Sequence, residues 1–180
     1  GYTFREAYLQ IGHFIEKLPR KPIVFACSAT IQEYTIEDLS DKLYLDSPKW
    51  FRCDLTRKNL ILMKKDLTME DRSLENRLYS RFKAVKKAVR KYQDTGSVVI
   101  YASTIDYVDA PYDYLSEYFP GQVVRNHSKM RPHKKEKMLL DFLTGQRKIM
   151  VATTAFGMGV DVPDIELVLH FNVPLSMVDY

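Results

Sequence analysis

Lys148-Ile149-Met150-Val151-Ala152-Thr153-Thr154-Ala155-Phe156-Gly157-Met158-Gly159-Val160-Asp161-Val162-Pro163, followed by Glu166-Leu167-Val168-Leu169-His170-Phe171, is the stretch whose reading decides the fold. Residues 149–151 are apolar without polar alternation, as in a strand buried on both faces of a parallel sheet. A loop of threonines and glycines follows, Pro163 stops any helix, and residues 166–171 form a second apolar strand. Strand, small-residue loop, strand is how an α/β sheet presents ligand groups at the carboxyl ends of its strands. Gly157 and Gly159 let the backbone approach a phosphate, and Thr153 and Thr154 offer short hydroxyl donors. Asp161, ionised at neutral pH, suits a ribose hydroxyl better than a phosphate. A lone GxG more often marks only a tight turn with an N-capping threonine.

The surrounding chain bounds the problem. Its 180 residues allow one domain or parts of two, and a hydrophobic fraction of 46% is ample for a core. A net charge of +4 permits a nucleic-acid partner without requiring one. Arg125, Lys129, Arg131, Lys134, Lys135, Lys137, Arg147 and Lys148 cluster against only Glu136 and Asp141, which a solvated helix face also explains. Cys27 and Cys53 suit a reducing compartment, and the scattered histidines lack zinc-ligand spacing, so no metal site is expected. No apolar run approaches the ~18 residues of a membrane span, and a cytoplasmic setting, the bacterial cytosol or nucleoid, is expected.

Upstream, apolar residues recur at three and four from Ala7 to Leu18, predicting one amphipathic helix. Residues 22–27, 49–53 and 60–65 read as strands, and a helix with Ile36, Leu39 and Leu43 on one face lies between the first two. The spacing then predicts a charged helix over 70–93 closed by Gly96 as a left-handed C′ glycine, and a strand over 98–102 ending at Ser103-Thr104. Further on it predicts a helix over 107–119, a strand over 122–126, and a helix over 131–144. That last helix has Pro132 in its first turn and Met138, Leu139, Phe142 and Leu143 inward. Gly145 closes it. This β-α-β alternation fits one RecA-like parallel sheet with right-handed crossovers.

Ala152-Thr153-Thr154-Ala155-Phe156-Gly157-Met158-Gly159-Val160-Asp161-Val162-Pro163-Asp164 closely resembles motif V of the RecQ family of ATP-dependent DNA helicases, in superfamily two. The Ala-Phe-Gly-Met-Gly core separates it from DEAD-box RNA helicases, whose loop usually has Arg before the first glycine. Ser28-Ala29-Thr30 resembles motif III, which implies a coupling role for Ser28 and Thr30, although a simple helix N-cap also accounts for them. Gly1, Phe4, Arg5 and Tyr8 match the end of the family's aromatic-rich loop, implying a DNA-coupling role for Phe4 and Arg5. Ser103 and Thr104 stand in a motif IV-like position, where Ile105 replaces a common Arg. His127-Ser128-Lys129-Met130 resembles the Tyr-His-Ala-Gly-Leu phrase, with Lys129 in place of the glycine. His127 is read either as a structural residue or as a DNA-backbone contact.

The resemblance implies an α/β fold: a RecA-like parallel sheet flanked by helices, the P-loop NTPase-type helicase lobe 2, preceded by a partial first lobe. Residues 1–56 are expected to be the end of lobe 1, and residues 57–180 lobe 2, truncated before the arginine-rich motif VI. It implies an ATP-dependent 3′–5′ DNA helicase of recombination and repair, using ATP and Mg2+ and acting on single-stranded DNA and duplex junctions. Gly157, Gly159 and Asp161 would face the nucleotide, with Asp161 on the ribose or in an interlobe contact. Phe4, Arg5, Ser103, Thr104, His127, Thr153 and Thr154 would face DNA. The sequence holds no GxxxxGK[ST] phosphate loop and no acidic metal-binding box, so the 180-residue chain alone is expected to be inactive. Unpaired strand edges in its first segment would invite self-association. Another superfamily-two motor, such as an RNA helicase, and a non-catalytic nucleic-acid-binding module remain the alternatives.

Overall fold

A computed structural model of the chain describes residues 6–28, 31, 33–54, 56–65, 67, 73–157 and 160–173. The chain divides into two compact units, Gly1–Leu62 and Met63–Tyr180.

The second unit is a four-stranded sheet built from β1 (Ser97–Ala102), β2 (Val123–Asn126), β3 (Ile149–Thr153) and β4 (Ile165–His170), in the order β2-β3-β1-β4. Every pairing is parallel, with Ile100 opposite Val151 and Leu169, and Val124 opposite Met150. The two central strands are apolar on both faces, which removes any alternation: residues 98–100 and 149–152 are all buried. Successive side chains nevertheless point to opposite faces, and two cores result. On one face Val98, Ile100, Ile149 and Val151 pack with Val85, Val89, Val108 and Leu115. These last come from α3 (Leu74–Tyr92) and α4 (Asp106–Tyr118). On the other face Val99, Val124, Met150 and Ala152 pack with Met138 and Phe142 of α5 (Pro132–Leu143) and with Phe156, Val160 and Val162 of the loop between β3 and β4.

The local chemistry explains the helix ends. Ser73 holds extended backbone before α3, and its hydroxyl accepts a 3.3 Å bond from the Asn76 amide, satisfying a donor the helix cannot. Pro132 sits in the first turn of α5, and Gly145 follows it with φ +72°, a conformation that glycine adopts without strain. Gly96 departs from expectation. α3 ends at Tyr92 with Gln93 as its C-cap, and Gly96 is absent from the left-handed residues. Instead a Cβ there would stand 2.5 Å from the Asp164 carbonyl oxygen and 2.5 Å from the Glu166 side chain. Close approach of β4 requires this glycine. Leu143, expected inward, is 39% exposed, because the stripe of α5 that meets the sheet is centred on Met138 and Phe142.

In the first unit a 3-10 turn (Glu6–Gln10) leads into α1 (Ile11–Glu16), shorter than the single helix expected, and α2 spans Glu33–Lys42. Gly12 is buried, and a side chain there would meet the Lys42 carbonyl and the Tyr44 ring; the Tyr44 hydroxyl lies 3.1 Å from His13 Nδ1. The expected strands over 22–27, 49–53 and 60–65 do not form among the described residues. Ile23 is 100% exposed and Phe51 89%. An apolar run supplies strand propensity, but a strand also needs a neighbour for its amides and carbonyls, and these segments have none among the described residues.

Candidate nucleotide and nucleic-acid interface

Because the four strands are parallel, their carboxyl ends lie along one edge of the sheet. Ser103 and Thr104 follow β1, His127 follows β2, and Thr153 ends β3 with Thr154 immediately after. The fold thus brings these five residues to one edge. Thr154, Gly157 and Asp161 are exposed, and Thr153 is half-buried. Ser28 is exposed in the first unit. Phe4, Arg5, Thr30 and Gly159 lie outside the described residues.

The glycine-threonine loop is anchored from beneath. The Phe156 amide donates to the Thr153 carbonyl at 2.9 Å, and the Phe156 ring is buried against Phe142. Tyr101 of β1 donates its hydroxyl to the Phe156 carbonyl at 3.2 Å. Gly157 follows with φ +105°. Tyr101 also stacks on His170 of β4, with centroids 5.6 Å apart. Burial pushes the Tyr101 phenol above its ordinary value and holds the His170 imidazole below its own.

Neighbouring groups are partly committed to the scaffold. The Thr104 hydroxyl accepts from the Tyr107 amide at 3.3 Å, capping α4, and the Ser103 amide donates to Asn172 Oδ1 at 3.3 Å. At the far end of the edge, Asp109 of α4 meets Arg125 Nη1 at 2.7 Å, and His127 Nε2 lies 3.3 Å from the same carboxylate oxygen. Arg125 also packs against α4, its guanidinium 4.6 Å from the Tyr112 ring centroid.

No sequence motif marks Tyr101 or Asp109. A phenol closing an otherwise apolar strand is the available signal for Tyr101. Nothing local points to Asp109, which meets its partners only through the β1-α4-β2 crossover.

The exposed hydroxyl of Thr154, the glycine backbone at 157 and the Asp161 carboxylate are groups suited to a nucleotide's phosphate and sugar. Among the described residues no group of three or more His, Cys, Asp or Glu could hold a metal ion. No described helix is long and apolar enough to cross a membrane.

A family model of the helicase conserved C-terminal domain matches residues 80–180. A putative ATP-dependent RNA helicase of Acanthamoeba polyphaga mimivirus is 31% identical over 184 residues, covering 100% of this chain and 30% of that protein. The ATP-dependent DNA helicase RecQ of Synechocystis is 30% identical over 187 residues, covering 100% of this chain and 36% of that protein. RecQ of Bacillus subtilis is 26% identical, again over the whole chain and over 28% of that protein. The chain therefore spans about a third of the length of these curated relatives. Among solved structures, Saccharomyces cerevisiae Dbp5 bound to RNA and ADP BeF3 aligns with a TM-score of 0.67 at 16% identity, covering 98% of this chain and 42% of that one. This last likeness concerns the fold.

Proposed function

The chain belongs to the helicase conserved C-terminal domain family and, within it, to the RecQ type of superfamily two, and from that premise we propose that its protein is an ATP-dependent DNA-unwinding motor. Residues 1–56 are the end of its first RecA-like lobe and residues 57–180 most of its second. The observation that carries this reading is the exposed glycine-threonine loop at the carboxyl edge of the parallel sheet, where Thr154, Gly157 and Asp161 meet solvent.

In this reading Gly157, Gly159 and Asp161 face the nucleotide, Asp161 toward the ribose. Ser28 and Thr30 couple the first lobe to that event. Bound ATP with Mg2+ supplies the free energy of each step, and the phosphate loop and acidic box that hold it belong to sequence beyond these 180 residues. Phe4, Arg5, Ser103, Thr104, His127, Thr153 and Thr154 contact the strand mainly at phosphate and sugar, so affinity falls with salt and varies little with sequence. Substrates are single strands and duplex junctions, unwound 3′–5′ in recombination and repair, in the cytosol.

A second reading has its own support, because one of the relatives matched over the whole chain is named as a putative RNA helicase. ATP hydrolysis by the intact protein, measured with single-stranded DNA and with RNA of the same sequence, separates the two. Greater stimulation by DNA is expected. Greater stimulation by RNA overturns the DNA assignment, and no stimulation by either overturns the motor.

A further inference from the structure

We propose that Tyr101 is a positioning residue for nucleotide binding: by holding the Phe156 carbonyl it turns the Gly157 amide outward, as a hydrogen-bond donor to the nucleotide. The inference rests on the function proposed above, and it adds the residue that sets the direction of that donor.

Sheet register gives Tyr101 its reach. It stands opposite Ala152 of β3 and His170 of β4, and register partners in a parallel sheet share a face. Ala152 is the smallest side chain of β3, so the phenol has room to lean across it toward the loop that follows. On its other side the ring is stacked on His170, and the Tyr101 carbonyl accepts from the Phe171 amide at 2.8 Å. The Phe156 ring lies tilted against it, with centroids 6.4 Å apart. Ring and backbone are therefore both held independently of the hydroxyl, which makes that hydroxyl a fixed reference point for the loop.

The planarity of the peptide bond carries the argument from there. The described residues hold no cis peptide, and a trans peptide group carries its C=O and its N–H in opposite directions. The Phe156 carbonyl accepts from the Tyr101 hydroxyl at 3.2 Å, so the Gly157 N–H of the same peptide group is directed away from the phenol. Gly157 is exposed, and among the described residues its amide donates no hydrogen bond. The Gly157 carbonyl accepts from the Val160 amide at 3.3 Å, which ties down the next peptide group as well. A backbone N–H aimed in advance at solvent is what a loop offers to a phosphate oxygen, and it costs no reorganisation when the ligand arrives. Phenylalanine at position 101 keeps the ring against His170 and Phe156 but releases the carbonyl, and the donor then loses its fixed direction.

The test measures ATP hydrolysis by the intact protein over a range of ATP concentrations, with whichever of single-stranded DNA or RNA stimulates it more. Wild type, Tyr101→Phe and Val89→Ala are compared. Val89 is fully buried on the opposite face of the sheet, so its variant is a destabilised control that leaves the loop alone. Loss of one neutral hydrogen bond is expected to raise the KM for ATP about three- to tenfold in Tyr101→Phe with kcat nearly unchanged, and to leave KM unmoved in Val89→Ala. An unchanged KM in Tyr101→Phe, even with a lower kcat, overturns the inference, because the phenol then only packs. An equal rise in KM in Val89→Ala overturns it too, since general loosening then explains the effect. Wild-type protein that hydrolyses no ATP overturns the proposed function and the inference with it, an outcome read without either variant. If Tyr101→Phe does not fold, hydrogen exchange of the wild type at single-residue resolution decides: bound nucleotide slows the Gly157 amide, and an unchanged rate overturns the inference.

Discussion

The hydroxyl of Tyr101 lies 2.8 Å from the point where Gly157 would carry a Cβ, and it also holds the Phe156 carbonyl at 3.2 Å. One phenol thus fixes the height of the glycine-threonine loop above the sheet and leaves room only for glycine beside it. Two separate strains follow for a larger residue: the contact with Tyr101 and the backbone at φ +105°.

Gly157→Ala is therefore expected to lower stability by about 1–3 kcal/mol. The Tyr101→Phe background should recover the part due to the contact and leave the backbone part. Chemical denaturation of the four proteins in this double-mutant cycle checks it. Full additivity would mean that the Tyr101 hydroxyl does not press on residue 157.

Stability should also depend on pH through the partly buried rings of Tyr101 and His170. Burial lowers the His170 pKa, so the unfolded chain binds more protons near pH 6.5 than the folded one does. The contribution is complete above the unfolded value of about 6.5 and is lost as pH falls through the lower, folded value. Tyr101 runs the other way. Its pKa is raised by burial, so its contribution is complete below about pH 10 and is lost as pH rises through the folded value. Denaturation midpoints from mildly acid to alkaline pH should show both flanks. His170→Gln should flatten the acid one, and Tyr101→Phe the alkaline one.

The centre and the edge of α5's apolar stripe should behave differently. Phe142 is 1% exposed and Leu143 39%. Phe142→Ala is expected to cost about 3–5 kcal/mol, and Leu143→Ala well under half of that. Thermal melts of the two variants check the contrast, and equal losses would contradict the orientation of the helix.

Exposed apolar side chains in the first unit predict self-association of the 180-residue chain. Ile23, Phe25 and Phe51 are 100%, 85% and 89% exposed, in segments whose backbone lacks strand partners among the described residues. Sedimentation should depend on concentration, and Phe25→Lys with Phe51→Lys should reduce that dependence. A wild-type chain that stays monomeric at all concentrations would contradict it.

These same segments show where sequence reading succeeds and fails. The strand signals over 98–102 and 149–151 are legible because a strand buried on both faces needs nothing but apolar residues, and the sheet supplies its hydrogen bonds. Residues 22–27 carry an equally apolar signal, yet no strand forms there. Local composition cannot report whether a neighbour is present. Gly96 is legible as a punctuating glycine but not for its reason, since the crowding comes from Asp164 and Glu166 far along the chain. At the candidate site, Thr153, Thr154 and His127 are readable from motif phrases. Tyr101 and Asp109 act through partners that only the sheet order and the crossover bring near.

The strand order has a consequence for how the protein is made. β1 leaves the ribosome first, yet both of its neighbours, β3 and β4, begin at Ile149 and Ile165. At roughly 5–20 residues per second of synthesis, the central strand waits on the order of several seconds for either partner. Until then its apolar run, Val98 to Ile100, is covered only by α3, already made, and by α4, which follows it within a few residues. The nascent α3 is thus the first shelter available to the strand, offering the Val85 and Val89 face on which Val98 and Ile100 pack in the finished fold.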